Sequence, residues 1–224
     1  MLLSALLKGH LPQLVMFDLD GTLIDSVPDL ATAIDRMLSD CNAQPVGEHK
    51  VRGWVGNGAL KLVQRALHDA ALPAIDEGYA LERFLLHYRE VCTLDTRLYE
   101  GVVPFLTQLS ALAIPMVIVT NKPSAYVAPI LRSLEVDHYF DYCLGGDDLP
   151  HKKPHPEPLL HCLKRFDCHP TRALMVGDSV NDIVAAQRAG VAVIAVDYGY
   201  NGGQPVESSQ PSLVVSSLND VLCE

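Results

Sequence analysis

Five short apolar runs constrain this chain more than any other feature: Leu14–Phe17, Pro115–Val119, Tyr139–Leu144, Ala173–Val176 and Val191–Val196. Each is continuous rather than alternating and too short for an amphipathic helix, the pattern of strands buried on both faces of a parallel sheet. Stretches with helical apolar spacing follow them: Val102–Leu112, Ser124–Leu134, Glu157–Phe166 and Asn181–Ala189. Strand and helix in alternation predict an α/β domain with helices on both faces of the sheet. Leu213–Val215 is a candidate edge strand, and Pro129 predicts a kink or a late start in the second of these helices.

Between the first and second runs the pattern changes. From Val27 to Thr96 the apolar residues keep helical spacing, as in Leu30, Ile34, Met37 and Leu38, then Leu60, Val63 and Leu67, then Leu81, Leu85 and Tyr88, with no strand pattern. This predicts an all-helical subdomain over 25–97 inserted into a core made of 1–24 and 98–224.

With 49% hydrophobic and 20% charged residues, the chain can bury a sizeable core. A net charge of −10 argues against nucleic acid, which needs clustered Lys and Arg, but leaves a small phosphorylated molecule open. No apolar run reaches the ~18 residues of a membrane span. Met1 to Leu7 is apolar but has neither a preceding basic residue nor a small-residue cleavage pattern, so a signal peptide is not expected. Cys41, Cys92, Cys143, Cys162, Cys168 and Cys223 are scattered without a CxxC pair, which predicts reduced thiols and a cytoplasmic setting.

In open α/β sheets ligands bind at the carboxyl ends of the strands, so the residues that follow each run test the function. The first run ends in Asp18-Leu19-Asp20-Gly21-Thr22 and the second in Thr120-Asn121-Lys122. The third is followed by Gly145-Gly146-Asp147-Asp148 and then Lys152-Lys153-Pro154; the fourth ends in Gly177-Asp178, with Asn181 and Asp182 close behind. Carboxylates, a hydroxyl, an amide and a lysine at strand ends make up the equipment of phosphoryl transfer. Asp18 and Asp20, two apart on extended backbone, leave one face together. Their mutual repulsion raises a pKa or demands a cation, and magnesium reached also by Asp178 would relieve it.

Asp18-Leu19-Asp20-Gly21-Thr22-Leu23, Thr120-Asn121, Lys153-Pro154 and Gly177-Asp178 with Asp182 resemble the four motifs of the haloacid dehalogenase-like hydrolases, in that family's order. The resemblance covers nearly the whole chain and implies a Rossmann-like core with a helical cap inserted after the first motif. It also implies roles: Asp18 as nucleophile, Asp20 as general acid and base, Thr120 and Asn121 on the phosphoryl group, and Lys153 stabilising it. Magnesium would be held by Asp18, Asp178 and the backbone carbonyl of Asp20, with Asp182 behind them. Lys153 is preferred to Lys152 because it adjoins Pro154.

Trp54-Val55-Gly56-Asn57-Gly58-Ala59, Lys152-Lys153-Pro154-His155-Pro156 and Tyr198-Gly199-Tyr200-Asn201 further resemble bacterial phosphoglycolate phosphatases. That implies 2-phosphoglycolate as substrate, a place in carbohydrate metabolism, a monomer or homodimer, and substrate contacts from Gly56, Asn57 and Gly58. Relatives with the same core act on sugar phosphates, pyrophosphate or phosphonates, and a phosphomutase would share every core residue. Arg52 and Lys61 flank the glycine turn and are either carboxylate partners or plain surface cations.

Other features carry less. Gly56-Asn57-Gly58 lacks the third glycine and preceding strand of a dinucleotide fingerprint. His151 and His155 are four apart, but Pro154 between them argues against a helical metal pair. Asp147-Asp148 reads as an acidic site, a solvated loop or a helix cap, and Asp76-Glu77 and the tail Asn219–Glu224 as solvated surface. A signalling receiver module also phosphorylates an aspartate, but it is about half this length and carries no helical insertion after the nucleophile strand.

Overall fold

The computed structural model describes residues 2–222. A short helix, α1 (Leu2–Leu6), precedes β1 (Leu14–Phe17) and β2 (Ile24–Asp25). Four helices come next, α2 (Val27–Asp40), α3 (Gly47–Arg52), α4 (Ala59–Asp69) and α5 (Glu77–Val91), and β3 (Arg97–Leu98) closes that segment. The remainder alternates: α6 (Val102–Ala111), β4 (Met116–Val119), α7 (Ser124–Ser133), β5 (Tyr142–Leu144), α8 (Glu157–Arg165), β6 (Ala173–Gly177), α9 (Val180–Ala189) and β7 (Ala192–Val196). β8 (Leu213–Val215) and α10 (Asn219–Leu222) complete it.

Six strands form one parallel sheet in the order β5-β4-β1-β6-β7-β8. The chain builds outward from β1 to β4 and β5, then crosses back to lay β6, β7 and β8 on the other side. That reversal leaves a crevice at the carboxyl end of β1, flanked by the ends of β4 and β6. Side chains alternate between two cores. Val15, Phe17, Ile118, Leu174 and Val176 join one, where Phe17 meets Phe105 and Phe140 edge-on; Leu14, Met16, Val117, Val119 and Met175 join the other, under α8 and α9. The α/β class and the parallel sheet read from the apolar runs are what the chain forms.

Several local expectations need correction. The run at Tyr139–Leu144 is extended only over Tyr142–Leu144, because a 3-10 turn occupies Asp137–Tyr139 and Asp141 braces β4 by accepting from the Met116 N–H at 3.0 Å. The helix with Pro129 begins on time at Ser124 and carries the proline in its interior. β2 and β3 pair antiparallel, Ile24 with Leu98 and Asp25 with Arg97, as a two-residue ribbon that no apolar pattern announces. The tail is not all solvated: Val221 is fully buried, while Cys223 and Glu224 lie outside the described residues. Among the described residues the other five cysteines are unbridged.

The helical insert between β2 and β3 packs with its apolar stripes inward, through Ile34, Met37 and Leu38 of α2, Val63 and Ala66 of α4, and Phe84 and Tyr88 of α5. Its two ends are tied together by Asp29, a buried carboxylate that accepts from Asp95 N–H (2.9 Å), Thr96 N–H (2.9 Å) and Thr96 Oγ1 (2.7 Å). Three donors compensate the desolvation that would otherwise exclude a charge there. Among the described residues no helix is long and apolar enough to cross a membrane.

Candidate active site

Three strand ends and one loop converge in the crevice beside β1. Asp18 is the first residue beyond β1; its Oδ1 accepts from the Leu19 N–H at 2.7 Å and lies 3.0 Å from Lys153 Nζ. Lys153 comes from the loop after β5, is 2% exposed, and also donates to Asp182 Oδ1 at 2.6 Å. The other oxygen of Asp182 closes a capping box, accepting from the Ser179 N–H (3.1 Å) and Oγ (2.7 Å), so the start of α9 fixes it. Asp178, the residue after β6, accepts from Thr22 Oγ1 at 2.7 Å and from the Tyr200 N–H at 2.6 Å. A Cβ on Gly21 or Gly199 would come within 2.3 or 2.4 Å of the Asp178 carboxylate, so only glycine allows the backbone this close.

Oxygens of Asp18, Asp178 and Asp182 lie within 4.8 Å of one another, all buried. Among the described residues Lys153 is the one cation paired with them. Burial pushes Asp18 up to about 7 against the pull of Lys153, and Asp182 adds to the rise. Burial, then Asp182 and Asp18, push Asp178 well above the carboxylate range. Lys153 moves the other way: burial opposes its charge, but Asp18 and Asp182 outweigh that and raise it. Three carboxylates sharing one ammonium away from water either keep protons, the direction in which Asp18 and Asp178 are shifted, or suit a hard divalent cation. Asp182 is engaged by Lys153 and Ser179 and Asp178 by Thr22 and Tyr200, and the three carboxylates together have the chemistry to hold such an ion.

Asp20 stands on the other flank of Asp18. Its Oδ1 accepts from Ser26 Oγ at 2.5 Å and from Lys122 Nζ at 2.8 Å, and its Oδ2 lies 3.1 Å from the same nitrogen. Core and insert together enclose a cavity of about 40 Å³, whose walls include Asp18, Asp20, Thr120, Gly56 and Gly58.

Of the residues expected from sequence, Asp18, Lys153, Asp178 and Asp182 form one cluster, with Asp20 and Thr120 on the adjoining cavity wall. Asn121 also borders the cavity, but its amide donates to two carbonyls, Gly56 (3.0 Å) and Lys153 (2.9 Å). Gly56 O takes a second bond from Asn181 Nδ2 at 3.1 Å. Asn57 is turned aside, its Oδ1 accepting from Arg65 at 2.7 Å. Arg52 bonds Asp25 (3.0 Å) and Glu48 (2.7 Å) and lies over the Tyr200 ring, so it is committed elsewhere; Lys61 is exposed. Lys152 is exposed while Lys153 is buried on Asp18.

Asp147 and Asp148 are loop braces that accept from the N–H groups of Ser124 and Gly145, both at 2.7 Å. His151 and His155 share an exposed loop rather than a helix, stacked at 4.2 Å beside Glu157. Sequence reading gave no role to Lys122, Ser26 or Thr22. Lys122 directly follows Thr120-Asn121 at a strand end, and that position was the signal.

The comparisons agree with this geometry. The family model for haloacid dehalogenase-like hydrolases matches residues 12–190. Phosphoglycolate phosphatase 1 of Pseudomonas aeruginosa is 46% identical over 218 residues, 95% of this chain and 79% of that protein. The phosphoglycolate phosphatase of Colwellia psychrerythraea is 39% identical, covering 94% of this chain and 95% of that one. A crystal structure described as a predicted phosphoglycolate phosphatase from Haemophilus somnus superposes with a TM-score of 0.90 at 41% identity, covering 94% and 96% of the two chains. The chain belongs to the haloacid dehalogenase-like hydrolases.

Proposed function

We propose that this protein is a magnesium-dependent phosphatase that hydrolyses 2-phosphoglycolate to glycolate and phosphate. The observation that carries the chemistry is Asp18 held 3.0 Å from a buried lysine, within 4.8 Å of two further buried carboxylates. The substrate assignment is supported by relatives of that name at 39–46% identity over most of their length.

In this reading an oxygen of Asp18 attacks phosphorus and the bond to the alkoxide oxygen breaks, while Asp20 gives that oxygen a proton. Asp20 then takes a proton from a water that attacks phosphorus, the bond to Asp18 breaks, and phosphate leaves. Thr120 holds a phosphoryl oxygen, Lys153 balances the charge that accumulates, and Asp182 positions Lys153. Asp18, Asp178 and the Asp20 carbonyl would hold magnesium, which would supply charge neutralisation. The insert acts as a cap, residues 25–97 against the core of 1–24 and 98–224, and excludes bulk water while Gly56 and Gly58 face the substrate. Unbridged cysteines fit a reducing compartment, and we place the reaction in the cytoplasm.

Chelation of divalent ions should abolish phosphate release from 2-phosphoglycolate and added magnesium should restore it; a full rate after chelation would overturn the metal requirement. Release from a hexose phosphate at a rate matching phosphoglycolate would overturn the substrate.

A stability measurement tests the same cluster without turnover. The Asp18 carboxyl is raised from 3.8 to about 7 in the fold, so the folded chain binds more protons than the unfolded one across that window. Stability of the metal-free protein should therefore be greatest below pH 4 in respect of this group and fall as pH rises toward 7, by several kcal/mol at most. Magnesium should raise the melting temperature much more at pH 7.5 than at pH 5, and an equal rise at both would contradict the buried-carboxylate account.

A further inference from the structure

The aspartyl chemistry leaves one buried cation without a task of its own. Lys122 is 4% exposed, its ammonium on Asp20, and 4.8 Å from the centroid of the Tyr88 ring. It is the only cation among the residues that line the cavity. Most of the wall that the insert contributes is apolar, through Leu30, Val55, Leu62, Phe84 and Leu85. Tyr88 lines it too, is 1% exposed, and its hydroxyl has no hydrogen-bond partner. A buried hydroxyl left unpaired is costly, and native structures keep few of them without a reason.

Pairing with Asp20 would account for Lys122 alone, but not for the empty hydroxyl of Tyr88 on the same wall. A charged donor and a neutral donor beside the apolar wall of the insert complement a second anion, separate from the phosphoryl group that Lys153 serves, while Asp18 and Asp20 line the other side of the cavity. Other cations nearby are unsuited: Arg52 is bound to Asp25 and Glu48, and Lys61 and Lys152 are exposed.

We propose that Lys122 and Tyr88 seat a carboxylate on the substrate, one carbon from the phosphoester oxygen, with Lys122 shared between that carboxylate and Asp20. This deepens the phosphatase reading and rests on it. Lys122 comes from the core and Tyr88 from the insert, so a substrate bearing the carboxylate would bind the two parts together, and one lacking it would not.

The test compares 2-phosphoglycolate with ethyl phosphate, which has the same chain length but a methyl group where the carboxylate stands. The quantity read is the ratio of kcat/KM for the two. Wild type should favour phosphoglycolate by about 100-fold or more. Lys122→Met should lower that ratio by about 10- to 100-fold and Tyr88→Phe by about 3- to 10-fold, the ranges expected for a charged and a neutral hydrogen bond. Lys122→Arg, which keeps the charge, should recover part of the loss. Tyr88→Phe keeps the ring that packs on Lys122 and carries the test should Lys122→Met fail to fold. A ratio that either variant leaves unchanged overturns that residue's part in the seat, while the phosphatase reading stands. Wild type that releases phosphate from neither compound overturns both.

Discussion

Asp18→Asn is expected to reduce turnover of 2-phosphoglycolate by roughly 10⁴-fold or more, the scale seen when a nucleophile is removed. The amide keeps the shape of the carboxylate and an oxygen to accept the Leu19 N–H, so the fold should persist. What it lacks is the charge and the electron pair that attack phosphorus. Removing one carboxylate from a cluster of three also relieves repulsion, and the metal-free variant should melt no lower than wild type near pH 7. Phosphate release and circular dichroism on one preparation settle it. Substantial residual activity from a folded variant would place the nucleophile elsewhere, for instance on a bound water.

Asp20→Asn should separate the two halves of the reaction. Proton transfer by a placed carboxyl is worth roughly 10²–10⁴ in rate, and an alkyl phosphate needs it in both steps. p-Nitrophenyl phosphate needs it only in the second, because nitrophenolate leaves as an anion. Mixing the variant with the aryl ester should give a burst of about one nitrophenol per enzyme and then a slow steady state. Intact mass should find phosphate retained on the peptide carrying Asp18. Since the Asp20 side chain is engaged by Ser26 and Lys122, its amide still has a donor and an acceptor to offer, and metal affinity should survive. Absence of both burst and retained phosphate in a variant that still binds metal and substrate would remove Asp20 from the shared role.

How much of this was legible in the sequence depends on the kind of signal. Parallel strands covered on both faces leave unbroken apolar runs, so β1, β4, β6 and β7 could be read almost to the residue. Strand ends in an open sheet must converge, and the residues that follow the runs, Asp18, Thr120, Lys153 and Asp178, do gather at one crevice. The ribbon of β2 and β3 was invisible because two residues have no periodicity. Tyr88 was legible only as core: the spacing that places it on the buried stripe of α5 says nothing of where its hydroxyl ends. Arg52, open between carboxylate partner and surface cation, and Asn57, expected on the substrate, were illegible for the opposite reason. Asp25 and Arg65 engage those side chains, and neither partner follows from local spacing.

The two amides on Gly56 bear on the order of events in a catalytic cycle. Asn121 follows β4 and Asn181 opens α9 beyond β6, so one carbonyl of the insert spends both lone pairs on opposite banks of the crevice. Water can replace either bond at a net cost of about 1 kcal/mol, so the pair adds little to overall stability. Its geometry is stricter than its energy. Both bonds form only when the two banks and the turn arrive in register. The turn thus ties the insert to both sides of the crevice through a single atom.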